Sequence, residues 1–208
     1  PDVLKAPEVV IELVGDSAGR KQAVIEALAP RLQAGALWLT WAMPTSVTAA
    51  AAWAAGPERV IGFGVLPPLS ESDPIELAAG LQSSAEARHT AEAFWTGLGF
   101  EPVWVAEGPG LVRARILCCL INEAATALAE GISSAEEIDQ AMKLGTNYPY
   151  GPLEWGDRIG LHHVLGVMEG LFREWGEDRY RPAPLLRRLV QAAFLGEASG
   201  RGFYESWG

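Results

Sequence analysis

The run Val9-Val10-Ile11-Glu12-Leu13-Val14 sets the fold of the first half of the chain. All of its residues but Glu12 are apolar, which is typical of a strand buried on both faces of a parallel sheet. Strand-like and helix-like segments alternate from this run as far as residue 105. Further strands are predicted at 37–39, 59–63, 75–79 and 102–105, and helices at 17–29, 46–55 and 84–98. This alternation predicts an α/β domain built on a parallel sheet.

The pattern changes at Gly108-Pro109-Gly110, where we place a boundary between domains of residues 1–107 and 108–208. Beyond it, apolar residues recur about every 3.6 residues, which is the period of an α-helix, and no strand is predicted. Helices are predicted around 117–128, from a capping box at Ser134 to Gly145, at 161–175 and at 184–194. The second domain is therefore expected to be all-helical.

Composition and charge exclude several classes of protein. The 208 residues carry 16 Lys+Arg against 26 Asp+Glu, a net charge of −10, which argues against nucleic acid as a partner. No apolar stretch approaches the roughly 18 residues of a membrane span, so no membrane contact is expected. The two cysteines, Cys118 and Cys119, are adjacent and offer neither a disulfide framework nor metal-ligand spacing, which favours the reducing cytoplasm.

The candidate functional groups are few. Glycine clusters at 97–99, 108–110 and 200–202 do not complete G-x-G-x-x-G between a strand and a helix, so we interpret them as turns. His89 is expected on the surface. His162 and His163 point about 100° apart on a helix, cannot bind the same metal ion, and are interpreted as caps or surface residues. Cys118, Cys119 and most of the eight tryptophans are interpreted as packing residues.

Short motifs in the second half resemble the 3-hydroxyacyl-CoA dehydrogenase family. They include Asn122-Glu123-Ala124, Ser134-Ala135-Glu136-Glu137-Ile138-Asp139, Pro149-Tyr150-Gly151-Pro152-Leu153, Arg179-Tyr180-Arg181-Pro182 and Gly200-Arg201-Gly202-Phe203-Tyr204. The resemblance implies NAD-dependent oxidation of 3-hydroxyacyl-CoA in fatty-acid β-oxidation. It also implies a helical domain that forms a homodimer and covers the acyl end of the substrate.

Two motifs of the first half, Val10-Ile11-Glu12-Leu13-Val14 and Pro57-Glu58-Arg59-Val60-Ile61-Gly62, resemble the later part of the Rossmann domain of this family. On that reading the fold is a half-Rossmann domain, without the Gly-rich first half, followed by the helical domain. We therefore expect no cofactor to bind this chain alone. The sequence leaves open whether Pro1 is the natural start.

The resemblance also assigns the family's active-site positions. Gly64 stands where the family has the general-base His of G-x-H-F-F-N-P, and Pro67 stands at its Asn. Met43 occupies the position of a substrate-binding Ser, and Ala114 that of an Asn. Glu76 retains the Glu that orients the base. As the general base contributes about 10² to 10⁴ in rate, Glu76 alone is interpreted as an inherited or surface carboxylate.

Three hypotheses remain open. In the first, the protein is a degenerate family member that has no dehydrogenase activity alone and either binds an acyl-CoA-like ligand or regulates or scaffolds a β-oxidation enzyme. Alternatively, it is a dehydrogenase whose dinucleotide-binding half comes from a partner chain, or a purely structural dimerisation protein. We further expect the 9–14 strand to lie at a sheet edge that is covered by a second copy, by residues 1–7 or by a partner, with Glu12 as a weak charge against aggregation.

Overall fold

Five strands form one sheet and follow each other across it in chain order. The computed structural model describes residues 8–33, 35–69 and 73–205. The strands are β1 (Val9–Glu12), β2 (Leu37–Trp41), β3 (Val60–Gly64), β4 (Ile75–Ala79) and β5 (Pro102–Trp104). Their existence and approximate positions confirm the prediction from the apolar runs.

The sheet is mostly parallel, but β3 and β4 run antiparallel, with Gly64 opposite Glu76. The prediction of an all-parallel sheet is wrong at this pair. The connection over residues 65–74 is shorter than the dozen or more residues that a parallel crossover needs, so the chain turns back beside β3 instead.

Helices cover both faces of the sheet and continue beyond it. They are α1 (Ala18–Leu28), α2 (Val47–Ala51), α3 (Ala85–Gly97), α4 (Arg113–Ala129), α5 (Ala135–Thr146), α6 (Pro152–Ile159), α7 (Leu161–Trp175) and α8 (Pro184–Gln191). The side chain of a serine caps the N-terminus of α1, α2, α3 and α5 by accepting a backbone N–H, and Ser134 completes the predicted capping box with Glu137.

Three details of the helical half, residues 108–205, differ from the prediction. Helix α8 ends at Gln191, three residues before the predicted end at Phe194. Helix α5 does not stop at Gly145 but at Thr146, because Asn147 takes the left-handed conformation that ends the helix. Helix α6 was not predicted, although Pro152 at its first position is a typical start signal.

One hydrophobic core runs through both halves of the chain. It joins Leu39 and Phe63 of the sheet to Trp95 of α3, to Ile121 of α4 and to Val164 of α7. A smaller cluster under α1 and α2 fills the other face of the sheet. The helical half is therefore packed against the same strands that α3 covers.

Strand β1 lies at the edge of the sheet and pairs only with β2 among the described residues. Ile11 and the following Leu13 are exposed. Residues 1–7 lie outside the described part, so the predicted covering of this edge stays a prediction. Among the described residues, no helix is both long and apolar enough to cross a membrane.

Candidate functional site

Glu76 faces Gly64 across the antiparallel pair of β3 and β4. It is only 5% exposed, so its interpretation as a surface carboxylate is wrong. The backbone N–H of Arg113, the first residue of α4, donates to Oε1 of Glu76 at 3.1 Å. Burial raises the pKa of the Glu76 carboxyl, and the contacts with Arg113 partly oppose that rise.

The Glu76 cavity is a small void lined by Gly64, Val65, Leu66, Glu76, Arg113 and Ala114. It is too small to admit a water molecule. A Cβ atom at position 64 would lie 2.9 Å from both Oε2 of Glu76 and Cδ1 of Leu111. Any side chain at this position therefore requires both neighbours to move.

The structure brings some of the predicted site residues together and separates others. Gly64, Glu76 and Ala114 line the same cavity. Pro67 lines the adjoining groove described below. Met43 is 1% exposed and belongs to the hydrophobic core, and it lines neither space.

None of the three histidines, all in the described part of the chain, borders the Glu76 cavity. His89 is exposed, as predicted. His162 and His163 are half-buried, so their interpretation as caps or surface residues is wrong. The centroids of their two rings lie 3.9 Å apart, and the centroid of the His163 ring lies 4.9 Å from that of Trp41. Burial lowers the pKa of both histidines, that of His163 to about 4, because the charged imidazole loses its hydration.

The cysteines are packing residues rather than nucleophiles. Cys118 is completely buried in the core, as predicted, and Cys119 is half-buried. Burial raises the pKa of both thiols, which disfavours the reactive thiolate. Among the described residues, no group of three or more His, Cys, Asp or Glu is arranged to hold a metal ion.

A groove of about 590 Å³ adjoins the Glu76 cavity and shares Leu66 and Arg113 with it. The groove lies between the segment after β3 and the helices α4 and α6. Its apolar lining consists of Leu66, Pro67, Pro68, Val112, Ile116, Leu117, Leu120, Tyr148, Tyr150, Trp155 and Ile159, and its charged lining of Asp73, Arg113 and Arg158. An apolar groove of this volume with a few polar groups suits a small organic ligand.

The buried carboxylate of Asp139 holds helix α6, which lines one side of this groove. Asp139 of α5 accepts hydrogen bonds from the backbone N–H groups of Leu153 and Glu154, at 2.8 and 2.7 Å, in the first turn of α6. The hydroxyl of Tyr204 donates to the same carboxylate at 2.8 Å. A charged acceptor at a helix N-terminus satisfies otherwise unpaired N–H groups, so α6 and its Trp155 are held firmly.

Glu12 has a role that the sequence did not indicate. Its carboxylate forms an ion pair with Lys21 of α1, and both side chains are almost completely buried. Thr40 of β2 donates to the same carboxylate at 2.8 Å and accepts from Lys21 at 3.1 Å. Glu12 is therefore an internal anchor between β1, β2 and α1, and its interpretation as an edge charge is wrong.

The described strand-to-helix turns do not fit the pyrophosphate of a dinucleotide. The turns at 13–17, 42–46 and 80–84 contain at most one glycine each. At the end of each, a serine side chain already accepts a backbone N–H of the first helical turn, from Arg20, Ala49 and Ala87. Phosphate cradles need open N–H groups at such a helix start, so these three turns offer the pyrophosphate of NAD no cradle.

Apart from Pro67, the sequence did not single out the groove residues as site residues, because they come from separate segments. Trp155 and Arg158 lie on the unpredicted helix α6, and Tyr148 and Tyr150 lie in the connection before it. Lys21 could have been found, since it lies four residues before Ile25 and therefore on the same inward face of α1.

Comparisons with known proteins identify the family. Residues 110–206 match the family model described as 3-hydroxyacyl-CoA dehydrogenase, C-terminal domain. A probable 3-hydroxybutyryl-CoA dehydrogenase of Bacillus subtilis is 36% identical over 198 residues, which is 95% of this chain and 69% of the relative. The 3-hydroxybutyryl-CoA dehydrogenase of Clostridioides difficile is 36% identical over 97% of this chain and 72% of its own length.

A solved structure agrees with these relatives. The crystal structure of (S)-3-hydroxybutyryl-CoA dehydrogenase from Ralstonia eutropha superposes with a TM-score of 0.82 at 39% identity, covering all of this chain and 73% of that one. The likeness extends over the sheet as well as the helices. The chain therefore belongs to the 3-hydroxyacyl-CoA dehydrogenase family.

Proposed function

We propose that this protein binds an acyl-CoA thioester in the groove beside α4 and α6 and does not oxidise it alone. The observation that carries the proposal is a groove of about 590 Å³ that adjoins the Glu76 cavity and shares Leu66 and Arg113 with it. The relatives named as 3-hydroxybutyryl-CoA dehydrogenases support a ligand of the same chemical class.

The absence of turnover follows from the groups around Glu76. The glycine at position 64 cannot take a proton from a substrate hydroxyl, and general-base catalysis is worth about 10² to 10⁴ in rate. Glu76 does not replace the base, because its cavity does not admit even a water molecule. Where the groove adjoins this cavity, a ligand would meet Leu66 and the guanidinium of Arg113, neither of which can accept a proton.

The same proposal includes a homodimer formed through the helical half. Large apolar side chains are exposed on its surface, among them Ile116, Ile132, Leu144 and Trp175. Burial of such side chains in an interface is favourable. Sedimentation should show a dimer at micromolar concentration, and a monomer would contradict this part of the proposal.

The open edge of β1 favours a second candidate, a dehydrogenase completed by another chain that pairs with β1. Such a partner would supply the dinucleotide site, but position 64 would still lack a base within this chain. Turnover of 3-hydroxybutyryl-CoA with NAD that appears only after a partner fraction is added would favour this candidate.

Calorimetry with acetoacetyl-CoA, and with CoA as the comparison, tests the first candidate. Val112→Trp fills the groove from an exposed position. Val103→Trp is the matched control, because Val103 of β5 is equally exposed and does not line the groove. We expect acetoacetyl-CoA to bind the wild type and the control alike, and Val112→Trp to bind at least about tenfold more weakly. The proposal is overturned by a failure of the wild type to bind, or by NAD-linked turnover above the no-enzyme background.

A further inference from the structure

Three aromatic side chains, Tyr148, Tyr150 and Trp155, line the groove. The rings of Tyr148 and Trp155 lie with centroids 5.3 Å apart at 58°, and those of Tyr150 and Trp155 lie 6.1 Å apart at 70°. Tyr148 is 39% exposed, so part of its surface is open to a ligand. Two tyrosines therefore flank one indole in the lining of the groove.

One aromatic face in this group is already occupied by a cation. The guanidinium carbon of Arg158 lies 4.3 Å from the centroid of the Tyr150 ring, within cation–π distance. Arg158 is held there by hydrogen bonds to Glu154 at 3.2 and 3.3 Å. A positively charged ligand would be repelled by this guanidinium, so the open surfaces of Tyr148 and Trp155 are suited to a neutral group.

We infer that this groove prefers acyl-CoA thioesters whose acyl group ends in an aromatic ring. The inference rests on the proposed function and adds the class of acyl group to it. The ring would pack against Tyr148 and Trp155, and the thioester end would lie toward Arg113. Aromatic rings attract each other in offset or edge-to-face arrangements beyond the gain from burial alone, whereas an alkyl chain gains only burial.

The volume and the rigidity of the groove are consistent with a planar group. About 590 Å³ lies within the range of pockets that bind drug-sized ligands, so a phenyl group and its linker fit. Trp155 belongs to α6, whose N-terminus is held by the buried Asp139. A ring that is held in place by its helix loses little freedom when a second ring packs on it.

The test compares 3-phenylpropanoyl-CoA with nonanoyl-CoA, which has the same number of acyl carbons, by calorimetry on the full chain. We expect the wild type to bind the phenyl ligand about 2- to 10-fold more tightly, the factor that one aromatic pair contributes. Tyr148→Leu and Trp155→Leu should each remove most of this preference. Trp104→Leu is the matched control, since Trp104 of β5 is partly exposed and lies outside the groove, and it should retain the preference.

The outcomes separate this inference from the proposed function. If neither thioester binds the wild type, the proposed function fails. If both bind with equal affinity, if nonanoyl-CoA binds more tightly, or if the preference survives both substitutions, the aromatic selection is wrong while acyl-CoA binding stands. Should Trp155→Leu not fold, the exposed Tyr148→Leu variant decides the question.

Discussion

Replacement of Lys21 by methionine should destabilise the fold strongly. Methionine keeps an unbranched chain of similar length, so the space that Lys21 fills in α1 stays largely filled. The loss of the Lys21 ammonium leaves the carboxylate of Glu12 buried without a cation, with the hydroxyl of Thr40 as a donor at 2.8 Å. Removal of one partner of a buried pair costs about 3–5 kcal/mol of the free energy of unfolding, because the remaining charge is uncompensated.

A loss of this size is large for the whole protein. Native proteins have a total free energy of unfolding of about 5–15 kcal/mol. For a chain of this length, each kcal/mol lowers Tm by about 2–4 °C, so we expect Lys21→Met to lower Tm by about 6–20 °C. The triple variant with Glu12→Met and Thr40→Val, which leaves no buried polar side chain behind, should recover most of the loss.

Thermal unfolding followed by circular dichroism measures these values, with Arg20→Met as the matched control on the same helix. Arg20 forms an exposed ion pair with Asp16 at 2.8 Å, and such pairs contribute only about 0–1 kcal/mol. The reasoning is refuted if Lys21→Met and Arg20→Met lower Tm by similar amounts. It is also refuted if the triple variant is no more stable than Lys21→Met.

Two further predictions concern the helical half. Asp139→Asn should lower the free energy of unfolding by about 1–3 kcal/mol in denaturant titrations, because the N–H groups of Leu153 and Glu154 lose a charged acceptor. Tyr204→Phe, which removes only the hydroxyl that donates to Asp139, should lower it by less. Equal losses for the two variants would contradict this prediction. Because the pKa of His163 is about 4 in the folded protein and 6.5 when unperturbed, the unfolded state binds more protons between these values. The stability contribution of this group is therefore complete above about pH 6.5 and is lost as the pH falls through 4. His163→Gln should flatten this part of the plot of unfolding free energy against pH. Parallel plots for the wild type and the variant would exclude the effect.

The sequence predicted those parts of the fold whose causes are local. The apolar runs of β1 to β5 and the serine caps of α1, α2, α3 and α5 each act within a few residues, so their positions agree with the structure. The direction of β4 was predicted wrongly, because it depends on the length of the connection after β3 rather than on the strand itself. Helix α6 was missed because its start is stabilised by Asp139 from another helix.

The candidate site was predictable only in part, for the same physical reason. Glu76 was identified by its position in a family motif, but its burial depends on the pairing with Gly64 and on the start of α4. The burial of His163 depends on its packing against Trp41, far away in the sequence, and His162 packs against His163. The aromatic lining of the groove joins α6 with the connection before it, and no pattern within one segment indicates it.

The burial of Met43 determines what a serine at this position would require of its surroundings. The resemblance places a serine there, whereas the methionine side chain fills space in the core shared by the sheet and the helices. Replacement of Met43 by serine would open a cavity. Truncation of a buried methionine to alanine lowers the free energy of unfolding by about 2–5 kcal/mol. The serine would also leave a hydroxyl that needs a hydrogen-bond partner in an apolar environment. A serine at position 43 is therefore tolerated only after neighbouring residues have changed first, which makes the order of substitutions matter.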